Sequence, residues 1–158
     1  MEKVNLTELE FLKESNSIER EYSSISLIDY VEAWNYAKNL KKINNKTILN
    51  IHKKLMKNLN PRIAGKMRNV NVMVGGRICL SPKKIKKHLE ALCKVIPKNE
   101  EDIKQWHITF EAIHPFEDGN GRTGRIIMNL QRIMVKLPLL IIHEGSEQFE
   151  YYKWFKEK

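Results

Sequence analysis

Apolar side chains recur at helical spacing along almost the whole of this chain, and the period changes to two in only one place. Residues 7–15 open the series, with Leu6, Leu9, Phe11 and Leu12 apolar. SLIDYVEAWNYAKNL (26–40) sets Leu27, Val31, Trp34 and Leu40, with Ala33 and Ala37, on one stripe. TILNIHKKLMKNL (47–59) repeats the pattern through Ile48, Ile51, Leu55 and Leu59 and stops at Asn60-Pro61. Ser81-Pro82 gives an N-cap and a first-turn proline to a helix facing inward with Ile85, Leu89 and Leu92. Asn99, followed by Glu100, Glu101 and Asp102, marks a further N-terminus, with acid where the helix dipole favours it. That helix carries Ile103, Trp106, Phe110 and Ile113, and Pro115 stops it. RIIMNLQRIMVK (125–136), closed by Pro138, and SEQFEYYKWFK (146–156) are the last two helical patterns.

The exception lies between them. VNVMV (70–74) alternates, Gly75-Gly76 supplies a turn, and RICL (77–80) is short and apolar, which together signal a β-hairpin. A two-stranded hairpin is marginal on its own. In a helical protein it therefore reads as a working part, a flap over residues 66–81 that presents Val72, Met73, Val74, Gly75 and Gly76. The expected fold is all-α, a helical bundle with one small hairpin, in a single domain spanning 1–158. With 8% aromatic residues, seven glycines and five prolines, the chain lacks the turns of a sandwich or barrel. A chain of this length buries roughly 68–70% of its unfolded surface and needs no staple.

The net charge of +9 suits an anionic partner such as a nucleotide, a nucleic acid or an acidic protein surface. Its lysines are spread through NLKKINNK, IHKKLMKNL and SPKKIKKH, the pattern of solvated helix faces. Cys79 and Cys93 lie on different segments with no signal peptide before them. Free thiols in a reducing, cytoplasmic setting are expected, and a zinc site would need more ligands at closer spacing. No apolar run reaches the length of a membrane span.

HPFEDGNGRTGR, residues 114–125, joins two helices. Gly119 and Gly121 permit tight turns and let an anion reach the backbone. Successive N–H groups there, followed by a helix N-terminus near Asn120, form a phosphate cradle. It is not the common P-loop, whose pattern is GxxxxGK[ST]. Arg122 and Arg125, three apart in the first turns of the helix, offer bidentate donors to a polyphosphate. Asp118 supplies a hard oxygen, enough for Mg²⁺ bound mainly through substrate phosphates. His114 is the side chain best suited to act as a general base near neutral pH. Phe116 is expected to plug into the core and pin the loop.

These twelve residues resemble the signature of the Fic (filamentation induced by cAMP) family, HxFx[D/E]GNGRxxR, at every defining position. PRIAGKMRNVNVMVGGRICLSP is similar to that family's flap, and NLQRIMVKLPLLII to its post-motif helix and loop. The resemblance implies a Fic fold and a protein adenylyltransferase, which moves AMP from ATP to a Ser, Thr or Tyr hydroxyl of a target protein. It implies that His114 takes the hydroxyl proton and that Asp118 holds Mg²⁺. Gly119, Asn120 and Gly121 would bind phosphates, Arg122 and Arg125 would hold the β and γ phosphates, and the hairpin would clamp the target's backbone. Gly121 argues against the phosphorylating branch, which departs from GNGR.

SNSIER (15–20) resembles the family's inhibitory motif [S/T]xxxE[G/N] through Ser15 and Glu19, within an N-terminal segment taken as residues 1–22. The resemblance implies that Glu19 pairs with Arg125 and keeps it from phosphate. Arg20 departs from the Gly or Asn expected there, residues that enter the left-handed conformation more easily. Tyr151 and Tyr152 fit either an adenine pocket or the core. Other readings stay open: a different nucleotide donor, removal of AMP, or a basic nucleic-acid-binding module, although neither a recognition helix nor an aromatic platform is evident. Target identity and homo-oligomerisation are not fixed by the sequence.

Overall fold

The computed structural model describes residues 3–156; the first two and last two positions of the expected domain lie outside the described residues. Among the described residues seven helices follow one another, with the hairpin between the third and fourth: α1 (Leu6–Ile18), α2 (Ser24–Ala37), α3 (Asn45–Met56), β1 (Met73–Val74), β2 (Arg77–Ile78), α4 (Pro82–Cys93), α5 (Glu100–Ile113), α6 (Asn120–Met134) and α7 (Ser146–Lys153). The all-α expectation with one small hairpin holds.

The main core is built from stripes the periodicity marked. Phe11, Leu12, Trp34, Ile48, Ile51, Leu55, Ile85, Leu89, Phe110 and Ile126 meet in one cluster. A second cluster joins Ile18, Ile103, Met128, Ile142 and Tyr151 beneath α7. Leu6, counted with the first apolar face, is instead 85% exposed, because Phe11 and Leu12 carry the burial of α1. Phe11 packs edge-on against Tyr30 and Trp34 at centroid separations of 6.2 and 5.4 Å. The N-terminus of α1 is fixed by an Asn5–Glu8 capping box, and Glu8 also accepts from the Trp34 indole at 2.5 Å.

Several boundaries differ from the expectation. α1 runs on to Ile18, and α3 ends at Met56 rather than at Asn60-Pro61. Ser81 precedes α4 without a side-chain capping bond, so the N1 proline alone marks that start. α6 closes at Met134, and the chain turns through Lys136 at φ 63° before Pro138. Asn129 then holds the return loop by accepting from Leu140 N at 2.8 Å and donating to Leu140 O at 3.1 Å.

The end of α1 bears on the departure at Arg20. Arg20 is left-handed, φ 54°. Glu21 N donates to Asn16 O and Arg20 N to Ser17 O, both at 3.0 Å. This is a full Schellman termination with arginine where glycine is usual. Arg20→Gly is therefore expected to stabilise the fold by about 1 kcal/mol, raising Tm by about 2–4 °C in a thermal melt.

Candidate active site

α5 and α6 run antiparallel, and the loop between them carries the twelve-residue motif. Its geometry follows from two left-handed residues: His114 caps α5 at φ 51° and Gly119 precedes α6 at φ 84°. Between them Phe116 is fully buried, as expected. Asn120 grips it from the helix: Phe116 N donates to Asn120 Oδ1 at 2.9 Å and Asn120 Nδ2 donates to Phe116 O at 2.8 Å. The Asn120 side chain thus braces the loop, a role its place in the cradle did not suggest.

Thr123 N donates to Gly119 O at 3.1 Å, the first bond of α6. Helix geometry leaves the N–H groups of Asn120, Gly121 and Arg122 without intrahelical acceptors. They open, with the dipole behind them, onto a cavity of about 110 Å³ lined by Glu19, His114, Glu117, Asp118, Gly119, Asn120, Gly121 and Arg122. Asp118 Oδ1 accepts from Gly119 N at 2.8 Å, which holds the carboxylate at the cavity wall. Glu117 is tied to Arg62 at 2.7 Å. Of the three carboxylates in the wall, Glu117 and Glu19 are ion-paired to arginines and Asp118, among the described residues, is not, and that one acid fits Mg²⁺ shared with a polyphosphate.

His114 is half-buried. Burial pushes its pKa below the ordinary histidine value, and the neighbouring Arg68 charge adds to the shift. The imidazole is therefore neutral at physiological pH, the form a general base requires.

Two residues that sequence reasoning did not single out hold this loop in place. His52, fully buried on α3, stacks on Phe116 at 3.7 Å and 7°. Its Nδ1 accepts from Gly65 N at 3.0 Å, so Nε2 carries the proton and donates to Asp118 O at 2.8 Å. Burial lowers its pKa to about 4, which keeps that tautomer neutral. Its position within the Ile48–Ile51–Leu55 stripe reads in sequence as ordinary core. Arg68, 3% exposed, donates to His114 O at 2.6 Å, Ile113 O at 3.2 Å, Val70 O at 2.9 Å and Leu80 O at 2.6 Å. One guanidinium thereby joins the end of α5 to both legs of the hairpin. No spacing rule marks such a residue.

Gly119 has no room for a side chain as well as a left-handed backbone: a Cβ there would lie 2.9 Å from Met56 Sδ and 3.2 Å from His52 Nε2. Gly119→Ala is expected to cost about 1–2 kcal/mol from the backbone alone. A thermal melt reads the loss.

The hairpin pairs Met73 with Ile78 and Val74 with Arg77, and Gly75 and Gly76 at φ 56° and 79° make its turn. Only two residues per strand are paired, and Cys79 N extends the ladder to Val72 O at 3.0 Å. Val72 is half-buried, while Met73, Val74, Gly75 and Gly76 are exposed. Among the described residues, none of the flap lines the cavity.

The structure brings Ser15, Glu19 and Arg125 together. Arg125 donates to Ser15 Oγ at 2.7 Å, Ser15 O at 3.1 Å and Glu19 Oε1 at 2.7 Å. A directed chain continues from it: the Ser15 hydroxyl meets Tyr30 Oη at 2.5 Å, and Tyr30 donates to Arg122 O at 3.2 Å. Arg125 is 2% exposed and does not line the cavity, whereas Glu19, its partner, does. A Cβ on Gly121 would lie 2.6 Å from Glu19 Oε1, so this glycine makes room for the pair. The Arg122 guanidinium is drawn inward, 3.4 Å from Ser26 Oγ and 3.7 Å from Met56 Sδ.

Tyr151 belongs to the core and to this network. It is 4% exposed, and its hydroxyl lies 3.4 Å from Arg125 Nη1 and 2.7 Å from His107 Nε2. Burial lowers the His107 pKa to about 3 and raises the Glu111 carboxyl to about 7. Tyr152 is exposed and accepts from Gln148 at 3.1 Å. Cys79 and Cys93 are both free thiols, and no helix among the described residues is long and apolar enough to cross a membrane.

A family model described as Fic/DOC matches residues 42–131. Among curated proteins, the chain is 27% identical over 117 residues to the protein adenylyltransferase Fic of Nematostella vectensis, across 70% of this chain and 27% of that protein. It is 32% identical over 120 residues to the protein of the same name in Drosophila erecta, across 70% and 24%. To protein adenylyltransferase fic-1 of Caenorhabditis elegans it is 31% identical over 114 residues, across 66% and 22%. The chain thus spans about a quarter of the length of these relatives. The solved structure of Fic-1 (residues 134–508) from C. elegans superposes with a TM-score of 0.81 at 21% identity, over 95% of this chain and 55% of that one. A Fic domain containing signaling protein from Bacteroides thetaiotaomicron gives 0.77 at 20% identity, over 92% and 69%. Both share the fold described above.

Proposed function

The chain belongs to the Fic/DOC family, and from that premise we propose that it transfers AMP from ATP to a hydroxyl of a target protein. The observation that carries this reading is one cavity wall holding a neutral histidine, a carboxylate and the bare N-terminus of α6. The target's hydroxyl oxygen attacks the α-phosphorus. A new P–O bond forms, the bond from that phosphorus to its bridging oxygen breaks, and pyrophosphate leaves. His114 takes the hydroxyl proton. The N–H groups of α6 hold phosphate oxygens, so positioning and electrostatics lower the barrier. Mg²⁺, held by Asp118 and the phosphates, would neutralise charge on them. The flap lays the target's backbone along its edge as an added strand.

Glu19 restrains this site. While it occupies Arg125, that arginine is not available to the terminal phosphates, and its carboxylate stands in the cavity those phosphates need. The names of the curated relatives, protein adenylyltransferase, support the donor and the transferred group.

The test is intact-mass analysis of a soluble protein lysate and of the chain itself, with the Glu19→Gly variant and each of the four nucleoside triphosphates in turn. An AMP adduct appearing with ATP is expected. Equal adducts from all four nucleotides would remove the case for ATP as donor.

A further inference from the structure

The charge of this chain is segregated. Residues 33–89 hold fifteen Lys and Arg and no Asp or Glu, whereas the rest of the chain holds thirteen and nineteen. That stretch runs from the last turn of α2 through α3 and the flap into α4, and stops just before Glu90. It is joined to the catalytic loop through Arg62 to Glu117 at 2.7 Å, through Arg68 to His114 O at 2.6 Å and through His52 to Asp118 O at 2.8 Å. Arg77 projects from β2, Lys66 stands just before the hairpin, and Lys83, Lys84 and Lys87 stand just after it, all exposed. Among the described residues none of these five has a carboxylate within ion-pair distance. Elsewhere in the same stretch Lys38, Lys54 and Lys57 do find acids, on Glu8, Glu32 and Asp29. Of the eleven cations in that stretch with no ion pair among the described residues, five, Lys66, Arg77, Lys83, Lys84 and Lys87, flank the flap.

Resting on the reading of the site as a protein-modifying one, we propose that the hydroxyl it modifies lies in an extended protein segment rich in acidic residues. The flap holds the backbone of that segment, and Lys66, Arg77, Lys83, Lys84 and Lys87 hold its carboxylates. A polypeptide fits better than a nucleic acid for two reasons. The hairpin has only two strands, so its outer edges offer backbone groups for β-pairing, and its exposed Met73 and Ile78, at 64% and 73%, suit side chains rather than phosphates. In addition, no Phe, Tyr or Trp occurs between residues 37 and 105, so the basic side has no ring on which a base could stack.

The test is equilibrium binding of the full chain, without nucleotide, to labelled serine-centred peptides of equal length. One is flanked by glutamates, one by glutamines and one by lysines, and a DNA duplex and a single strand are run beside them. The acidic peptide is expected to bind about tenfold or more tighter than the neutral one at low salt, and to lose that margin as salt rises. Charge reversal at Lys66, Arg77, Lys83 and Lys84 to Glu abolishes the preference. Reversal at the exposed Lys3, Lys13, Lys98 and Lys136 changes the net charge equally and leaves the preference in place.

Equal binding of the three peptides, tighter binding of either nucleic acid, or equal loss in both reversed variants would each overturn the proposal. ATP binding and AMP transfer are measured separately on the same proteins. Transfer without peptide preference removes only this inference. Peptide preference without transfer removes the catalytic reading and leaves the surface.

Discussion

Replacing Glu19 with glycine raises AMP transfer by roughly tenfold to a hundredfold, the range expected when a charge-assisted hydrogen bond no longer competes with substrate. The carboxylate sits 2.7 Å from Arg125 Nη2 and faces the cavity. In the proposed reading phosphate and Glu19 compete for one guanidinium. The helix carrying Glu19 cannot simply leave. Phe11 and Leu12 are fixed in the core at 2% and 0% exposure, and exposing them costs about 1.5–3 kcal/mol each. Release must instead act at the C-terminal end of α1, where the Glu19 side chain is still 39% exposed. Arg125 keeps Ser15 and Tyr151 as partners after the substitution, so the variant is expected to melt close to the parent. The rate gain should appear in the turnover of α-labelled ATP under identical Mg²⁺. An unchanged rate would show that the pair does not restrain the site, and a lowered melting curve beside it would show that the pair is structural only.

His114→Ala is expected to lower transfer by about 10²–10⁴-fold and to leave ATP binding nearly intact, since in the proposed reading the phosphates rest on α6 rather than on the imidazole. The backbone carbonyl of His114, not its ring, anchors Arg68, so the truncated side chain leaves that clamp in place. The same assignment fixes the pH response. The histidine's pKa is lowered by burial and by Arg68, so the base stays neutral, and the rate stays level, to a pH below the ordinary histidine value of about 6.5. Below that the rate falls as the ring protonates. Stability follows the same sign: with the folded pKa depressed, the contribution is fully present above the unfolded value of about 6.5 and is lost as pH falls from there through the folded value. In Arg68→Gln the acid limb is expected to move upward, since one of the two depressing influences is gone.

Much of this was legible in the sequence because it was written in spacing. The helical stripes gave α2 to α6 their buried faces, Gly75-Gly76 placed the hairpin turn, and HPFEDGNGRTGR packed the base, the acid and the cradle into a single loop. Ser15 and Glu19 could be tied to Arg125 only by family resemblance, since nothing local in SNSIER points across more than a hundred positions. What stayed hidden were residues whose work is to hold backbone. His52 looks like a core histidine on an apolar helix face, and only its bonds to Gly65 and Asp118 show that it braces the loop. Arg68 bonds four carbonyls on three segments, an arrangement that no period records. Arg20 shows the converse: a residue poorly suited to the left-handed conformation adopts it anyway, because the Schellman bonds and the burial of Ile18 at 7% exposure outweigh the strain.

Whether this cavity moves AMP is read from the position of the label. The Glu19→Gly variant is incubated with a soluble protein lysate, Mg²⁺ and ATP labelled at either the α or the γ phosphate, and released pyrophosphate is measured in parallel. Protein-bound label from the α position only, pyrophosphate in equal amount, and loss of both when His114→Ala is added are the expected results. Protein-bound label from the γ position, or α label that persists without His114, would contradict AMP transfer at this cavity.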